Sequence, residues 1–459
     1  MNVADIWTKS LFPGLLDYVI IAVYLAAMFI AAWNIQKKYQ DINPVYRFYT
    51  WGLFAKIAGV VIFCLVYTLY YEGHDTTNYY RSSEALVNLL FKKPLNYFSL
   101  LLGNITPENR MAFDSSTGHP WYLSDYQSFT TVRITSIFTL LGFKNYFTAS
   151  ILVAWFAYTG IWRLYLVFTD LFKGVYKELA IPVLFFPSVV FWGSGILKDT
   201  YTLMAAGWFV FGFYRFFIKK NYKISYIIAI ALSSLLMISI KPYIFVALLP
   251  GAFLWASFEK IKKIKNVFLR YATGPFIIIV FLLIARFFIT GLSDRLEDYA
   301  SLDDIIEKAV VTQDDLTRAH QYGENYFDIG HLDGTLVNLA SKAPQAVFAA
   351  FFRPFMWEAD TLLIFISGIE NMVVMLFCAF VLLRAGPYRF TRIISRSPSV
   401  AFSLLFALIF AFAVGITTAN FGALVRLRIP LLPFLGMALF VVDFYRRRLN
   451  AFTLKSYQK

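Results

Sequence analysis

The sequence predicts an all-α, polytopic membrane helix bundle, a single transmembrane domain over residues 1–459. Three observations carry this. The chain is 59% hydrophobic and 19% aromatic but only 15% charged, more apolar than a soluble core absorbs. The apolar residues fall into about eleven runs, each near the ~20 residues that cross a ~30 Å hydrocarbon core. The formal charge of +14 collects between those runs, where cytoplasmic loops of membrane proteins carry lysine and arginine. The charge is therefore a topology signal first, and no nucleic-acid partner is expected. Cys64 and Cys378 both sit inside apolar runs, which speaks against a disulfide framework or a cysteine metal site.

In order, the runs are 14–35, 49–71, 145–168, 179–195, 200–218, 224–240, 242–258, 271–290, 361–383, 399–418 and 427–445. The segment before the first lacks a basic leader and the run is long enough to span, so it is expected to be retained. Alternate connections are basic: Lys37, Lys38 and Arg47; Lys173 and Lys177; Lys219, Lys220 and Lys223; Lys260, Lys262, Lys263 and Lys265; Arg389, Arg392 and Arg396; Arg446, Arg447 and Arg448. These belong in the cytoplasm. The two long connections, 72–143 and 291–360, then lie outside, and the second carries the acidic stretch "DRLEDYASLDDIIEK". The N-terminus falls outside and the C-terminus inside. At "ISIKPYIF" two spans abut at Lys241 and Pro242 with almost no loop, so 224–258 reads as two spans or as broken or re-entrant helices.

Within the first exterior connection, "RSSEALVNLLFKKPLNYFSLLLGNI" has the apolar spacing of a helix in the interface plane. The segment 132–143, "VRITSIFTLLGF", is too short to span and is expected on or dipping into the outer leaflet. In the second, a helical acidic part leads through "YGENYFDIGHLDGT" to an apolar return, "PQAVFAAFFRPFMW".

Ionisable groups at membrane depth cost at least ~2.5 kcal/mol, so each needs a partner or a cavity. On this topology the exterior ends of the spans gather Glu72, His74, Asp75, Tyr79 and Arg81 in "YYEGHDTTNYYR", Lys198 beside Asp199, and Lys241. They also gather Arg353 and Glu358 in "FFRPFMWEAD", and Arg426 and Arg428 in "NFGALVRLRIPLLP". Cations on the side that the positive-inside rule depletes point to a negatively charged ligand. Each also has an ordinary reading. Asp75 is placed for a helix cap or for a general base at the water boundary. Arg426 and Arg428 are interfacial anchors or a bidentate grip on phosphate. Lys198 snorkels, pairs with Asp199, or meets a ligand. Glu370, inside a span, bonds a neighbour such as Asn371 or a substrate. Tyr79 and the aromatics of "HPWYLSDY" offer flat faces to sugar rings or form an interfacial belt. The four histidines show no metal-ligand spacing on one helical face; no cofactor is indicated, and a metal assembled across loops stays open.

An aspartate just past an early span in "GHDTTNYY", then an interface helix and a multi-span body, resembles the integral-membrane C-type glycosyltransferases and related polysaccharide polymerases. The phrases "PSVVFWGSGILKDT", "RPFMWEAD" and "NFGALVRLRIPLLPFL" resemble segments of bacterial membrane proteins of exopolysaccharide or O-antigen synthesis. The resemblance implies a GT-C-like bundle in the bacterial inner membrane with its active face outside. It implies a sugar donor on polyprenyl phosphate or pyrophosphate, and a glycan, lipid or protein acceptor. By it Asp75 is the catalytic base, Glu358 a second carboxylate, and Arg426 with Arg428 a phosphate clamp. This chain differs in placing the aspartate after its second span. Two other classes fit the same residues: a lipid-linked oligosaccharide flippase or transporter, and a non-catalytic subunit of an envelope complex.

Overall fold

The computed structural model describes residues 11–71, 73–266, 326–327, 329–330 and 332–457, with isolated positions 268, 273, 276, 280, 310 and 311. Among these the chain is helical, and its only β pairing is an isolated antiparallel bridge between Tyr326 and Asn420. The helices used below are α1 Leu15–Tyr39, α2 Tyr49–Leu69, α3 Asp75–Lys92, α4 Pro94–Leu101, α5 Tyr126–Leu141, α6 Tyr146–Leu171, α7 Pro187–Trp192 and α8 Lys198–Phe213. They continue as α9 Ile224–Ile240, α10 Pro242–Lys262, α11 Leu336–Phe352, α12 Leu362–Arg396, α13 Pro398–Thr417, α14 Phe421–Leu427 and α15 Leu431–Tyr457.

Six of the described helical stretches are long and apolar enough to cross a membrane: Leu15–Tyr39, Pro44–Leu69, Tyr146–Leu171, Lys198–Ile218, Leu362–Arg396 and Pro398–Thr417. A seventh is added if α14 and α15, bent by 65°, are taken as one span. These match seven of the eleven predicted runs. Three of the other four differ for identifiable reasons, and the fourth falls outside the described residues. Run 179–195 is broken by a π-helical turn over Ile181–Phe185 and by Pro187, which starts α7, because proline cannot supply the amide a continuing helix needs. Run 224–240 forms a helix of 17 residues, about 25 Å long, and the apolar stretch of α10 ends at Phe258, beyond which the helix runs on through the basic Lys260 and Lys262. Run 271–290, the acidic stretch, His320, His331 and Glu72 lie outside the described residues.

The chain divides into two compact units: Met1–Leu166, Leu184–Phe211 and Ile228–Lys241, and the rest. In the first, small residues set the helix spacing. A Cβ on Gly160 of α6 would lie 2.1 Å from the Met204 carbonyl of α8, and one on Gly207 would lie 2.2 Å from the Gly160 carbonyl. Such backbone-to-backbone approach is how helices pack where lipid removes the hydrophobic drive. The seam that α5 forms with α3 and α4 is polar: the hydroxyls of Ser83 on α3 and Thr139 meet at 2.7 Å and Tyr97 on α4 meets Ser136 at 3.2 Å. Segment 132–143, expected on or dipping into the outer leaflet, forms the second half of α5 to Leu141 and the turn after it; one face packs against α3 and α4, while Ile137, Leu141 and Phe143 are exposed.

In the second unit α13 packs on α10, α11 and α15. Its core face is phenylalanine: Phe406 lies 4.6 Å from Phe434 and 5.5 Å from Phe410, centroid to centroid, in the offset and edge contacts aromatic rings favour. Gly415 lets α11 approach, since a Cβ there would sit 2.1 Å from the Ala346 carbonyl. In α12 the helix breaks at Gly386, whose φ of 69° is left-handed, so the basic "PYRFTRIISR" tail starts a new direction after the apolar run.

Candidate functional site

The first unit holds Asp75 at the first position of α3, half-buried. The turn before it is strained: Gly73 has φ 133°, and His74 adopts φ 78°, ψ −159°, a region that glycine alone tolerates well. His74 occupies the cap position without a side-chain cap bond. Asp75 is thus not the cap itself but an acid in the first turn, where the helix dipole favours negative charge. Tyr79 is buried and stacked on Tyr122 at 4.7 Å, so that ring face is taken. Arg81 pairs with Glu84 one turn on, at 2.9 Å.

The two lysines predicted here each meet a carboxylate. Lys198 lies 3.5 Å from Asp125, not against its neighbour Asp199. Asp125 caps α5, accepting from the amides of Gln127 and Ser128 at 2.9 and 3.0 Å. Burial pushes its pKa up, but Lys198, the Ser128 hydroxyl and these amides outweigh burial and hold it below the usual carboxylate value. A carboxyl lowered in the folded state stabilises above its unfolded pKa and loses that stabilisation as pH falls through its folded one. Asp125→Asn keeps a capping oxygen and removes the charge. It is expected to cost under ~1 kcal/mol, because the carboxylate is 49% exposed and screened. The gap from wild type should be flat above about pH 5 and close below about pH 4; thermal unfolding at stepped pH measures it. Asp199 pairs with Lys241 at 2.5 Å, both buried. Lys56, buried in α2, donates to the carbonyl of Gly193 at the end of α7, a cation where the helix dipole is negative.

The second unit brings four predicted residues together. Arg353 ends α11, and its Nε donates to Glu358 Oε1 at 3.0 Å. Glu358 also accepts from the Phe355 amide at 2.8 Å, which fixes the carboxylate on both sides. The guanidinium lies over the rings of Phe327 and Phe421, 5.3 and 5.2 Å from their centroids. Arg428 is fully buried, at 0% exposure. It donates to the carbonyls of Arg353 at 2.8 Å and Ala350 at 3.4 Å, and to Asn371 Oδ1. Glu370 is buried beside Asn371 and its field reaches Arg428. Arg428 therefore faces protein oxygens, binding the end of α11 to α12. Arg426 is half-buried in the last turn of α14.

A cavity of about 700 Å³ opens beside Arg353 and Glu358, with Lys342, Gln345, Phe348 and Phe355 among its walls. Phe355 stacks on the exposed Trp357 at 4.9 Å. Lys342 forms no ion pair among the described residues, and its amine lies over Gly330, where a Cβ would come within 2.3 Å. Lys342 escaped the sequence reading because "LASKAPQAVF" looks like one more amphipathic helix. Asp125 was legible: an aspartate before a helical run is a cap signal. Among the described residues no three His, Cys, Asp or Glu side chains are grouped as a metal site.

Compared with protein-family models, curated proteins and solved structures, the chain matches none.

Proposed function

We propose that this protein is a membrane glycosyltransferase or polysaccharide polymerase that uses a polyprenyl-phosphate or pyrophosphate-linked sugar on the exterior face. We place it in an eleven-span, GT-C-like bundle with its N-terminus outside, in a bacterial inner membrane. The observation that carries the reading is the cavity of the second unit. An ion pair fixed at Arg353 and Glu358, the Lys342 amine and the Gln345 amide share one space with Phe348 and Phe355. That mixture suits a ligand with an anionic head and an apolar tail. Lys342 and Arg353 are positioned to neutralise a departing lipid phosphate as charge develops on it. Glu358 orients an acceptor hydroxyl, and the aromatic faces of Phe355 and Trp357 suit a sugar ring. Asp75, in the first unit, is the base that the resemblance names, and its strained turn is the kind of backbone stored at working sites.

Lys342→Gln, at a half-buried position, is expected to leave folding intact and cut glycan formation by roughly 10- to 100-fold. Asp75→Asn is expected to abolish it. Complementation in cells, with protein level checked and lipid-linked intermediates followed by mass spectrometry, tests both. Precursor accumulating on the exterior face supports transfer. Precursor held on the cytoplasmic face favours transport instead, a reading supported by the buried Lys56 and the Asp199–Lys241 pair around the non-helical segment 193–197. Unchanged glycans in both variants would sink the transferase reading.

A further inference from the structure

Arg133, on α5, is 7% exposed. Among the described residues it has no carboxylate partner and one hydrogen bond, from Nη2 to the Thr130 hydroxyl. Its Nε is buried without an acceptor. The rings of Tyr126 and Phe129, 5.2 and 5.9 Å from the guanidinium carbon, return only part of the cost of burying a cation, which is several kcal/mol. Its Nη1 points at Gly103, where a Cβ would lie 2.6 Å away and where φ is 97°. Glycine at that position lets the terminal nitrogen pack against the Gly103 backbone, in the space a Cβ would fill, and so ties the guanidinium to the end of the α4 segment.

The segment leading to Gly103 identifies the carrier of an anion for this cation. On α4, Leu95 and Phe98, followed by Leu102, share one face by their spacing of three and four. All three are exposed, Leu95 at 84% and Leu102 at 83%, while Tyr97 and Leu100 on the other face are buried. An apolar face turned outward on a short helix, preceded by Lys92 and Lys93, is the pattern of a helix seated in the headgroup layer of an anionic leaflet. We propose that Arg133, with Gly103 and Thr130, holds the phosphate of a membrane phospholipid whose chains lie along Leu95, Phe98 and Leu102. The site is independent of the transferase reading and fixes the α3–α5 unit against the bilayer surface.

Native mass spectrometry of the full chain in mild detergent, titrated with dioleoyl phosphatidylglycerol, tests it. Wild type should retain one lipid about tenfold more tightly than Arg133→Gln, the loss expected for one charge-assisted phosphate contact. Leu95→Asn combined with Leu102→Asn, both on the exposed face, should weaken retention similarly while keeping the guanidinium. Millimolar inorganic phosphate should not displace the lipid. Equal retention by wild type and the folded Arg133→Gln protein overturns the site. If that variant does not fold, unchanged retention by the double asparagine variant overturns it. Displacement by inorganic phosphate overturns the lipid assignment.

Discussion

Arg428→Met is expected to destabilise the protein by more than ~4 kcal/mol, the largest loss of any single substitution considered. The side chain is at 0% exposure, and its donors satisfy the carbonyls of Arg353 and Ala350 together with Asn371 Oδ1. Methionine fills much of the volume but leaves these acceptors buried and unpaired, at about 1–3 kcal/mol each. It also leaves Glu370, whose field acts on Arg428, without its cation. Removing one member of a buried network costs far more than replacing all of it, because the remaining charges keep their desolvation penalty. Arg426→Met, at the half-buried neighbouring position, should cost much less. Thermal unfolding in detergent compares the two. Equal losses would mean that the carbonyl network is not what Arg428 contributes. The same geometry links stability to the site. Arg428 grips the Arg353 carbonyl, so it acts on the cavity by holding the backbone that aims Arg353.

The sequence reading and the structure part where a rule based on composition meets one based on contacts. Hydropathy located α1, α2, α6 and α13 within a few residues, and the start but not the end of α12, since an apolar run of about 20 residues has one stable answer in lipid. It did not see that 179–195 would break, although Pro187 is a local signal, nor that one face of 132–143 would pack against α3, which depends on partners distant in sequence. The serines and threonines of α5 were visible, yet their partners Tyr97 and Ser83 could not be assigned to them without the fold. At the candidate site, residue types were legible and pairings were not. Lys198 beside Asp199 reads as a local pair, but α8 begins at Lys198, and adjacent positions on a helix point in different directions. Lys198 therefore reaches Asp125 while Asp199 reaches Lys241. Arg426 and Arg428 look equivalent in "VRLRI", but one closes α14 and the other lies in the bend before α15, which buries it.

The Asp199–Lys241 pair gives the second large effect. Both side chains are almost wholly buried, and they meet at 2.5 Å across 42 residues of chain. Asp199→Ala strands an ammonium and Lys241→Met strands a carboxylate, and each is expected to cost about 3–5 kcal/mol. The double variant Asp199→Ala/Lys241→Met leaves no charge behind, and should cost less than either single variant, so that the coupling is at least as large as one single loss, about 3–5 kcal/mol. Unfolding midpoints of the four proteins in one detergent measure the cycle. Additive losses would show that the two groups do not rely on each other as the geometry requires. The cycle also bears on function. A pair that only holds α8 to the end of α9 leaves a stable, active double variant. A pair that meets substrate or moves a proton leaves a stable double variant with no glycan product, because the fold survives neutralisation and the chemistry does not.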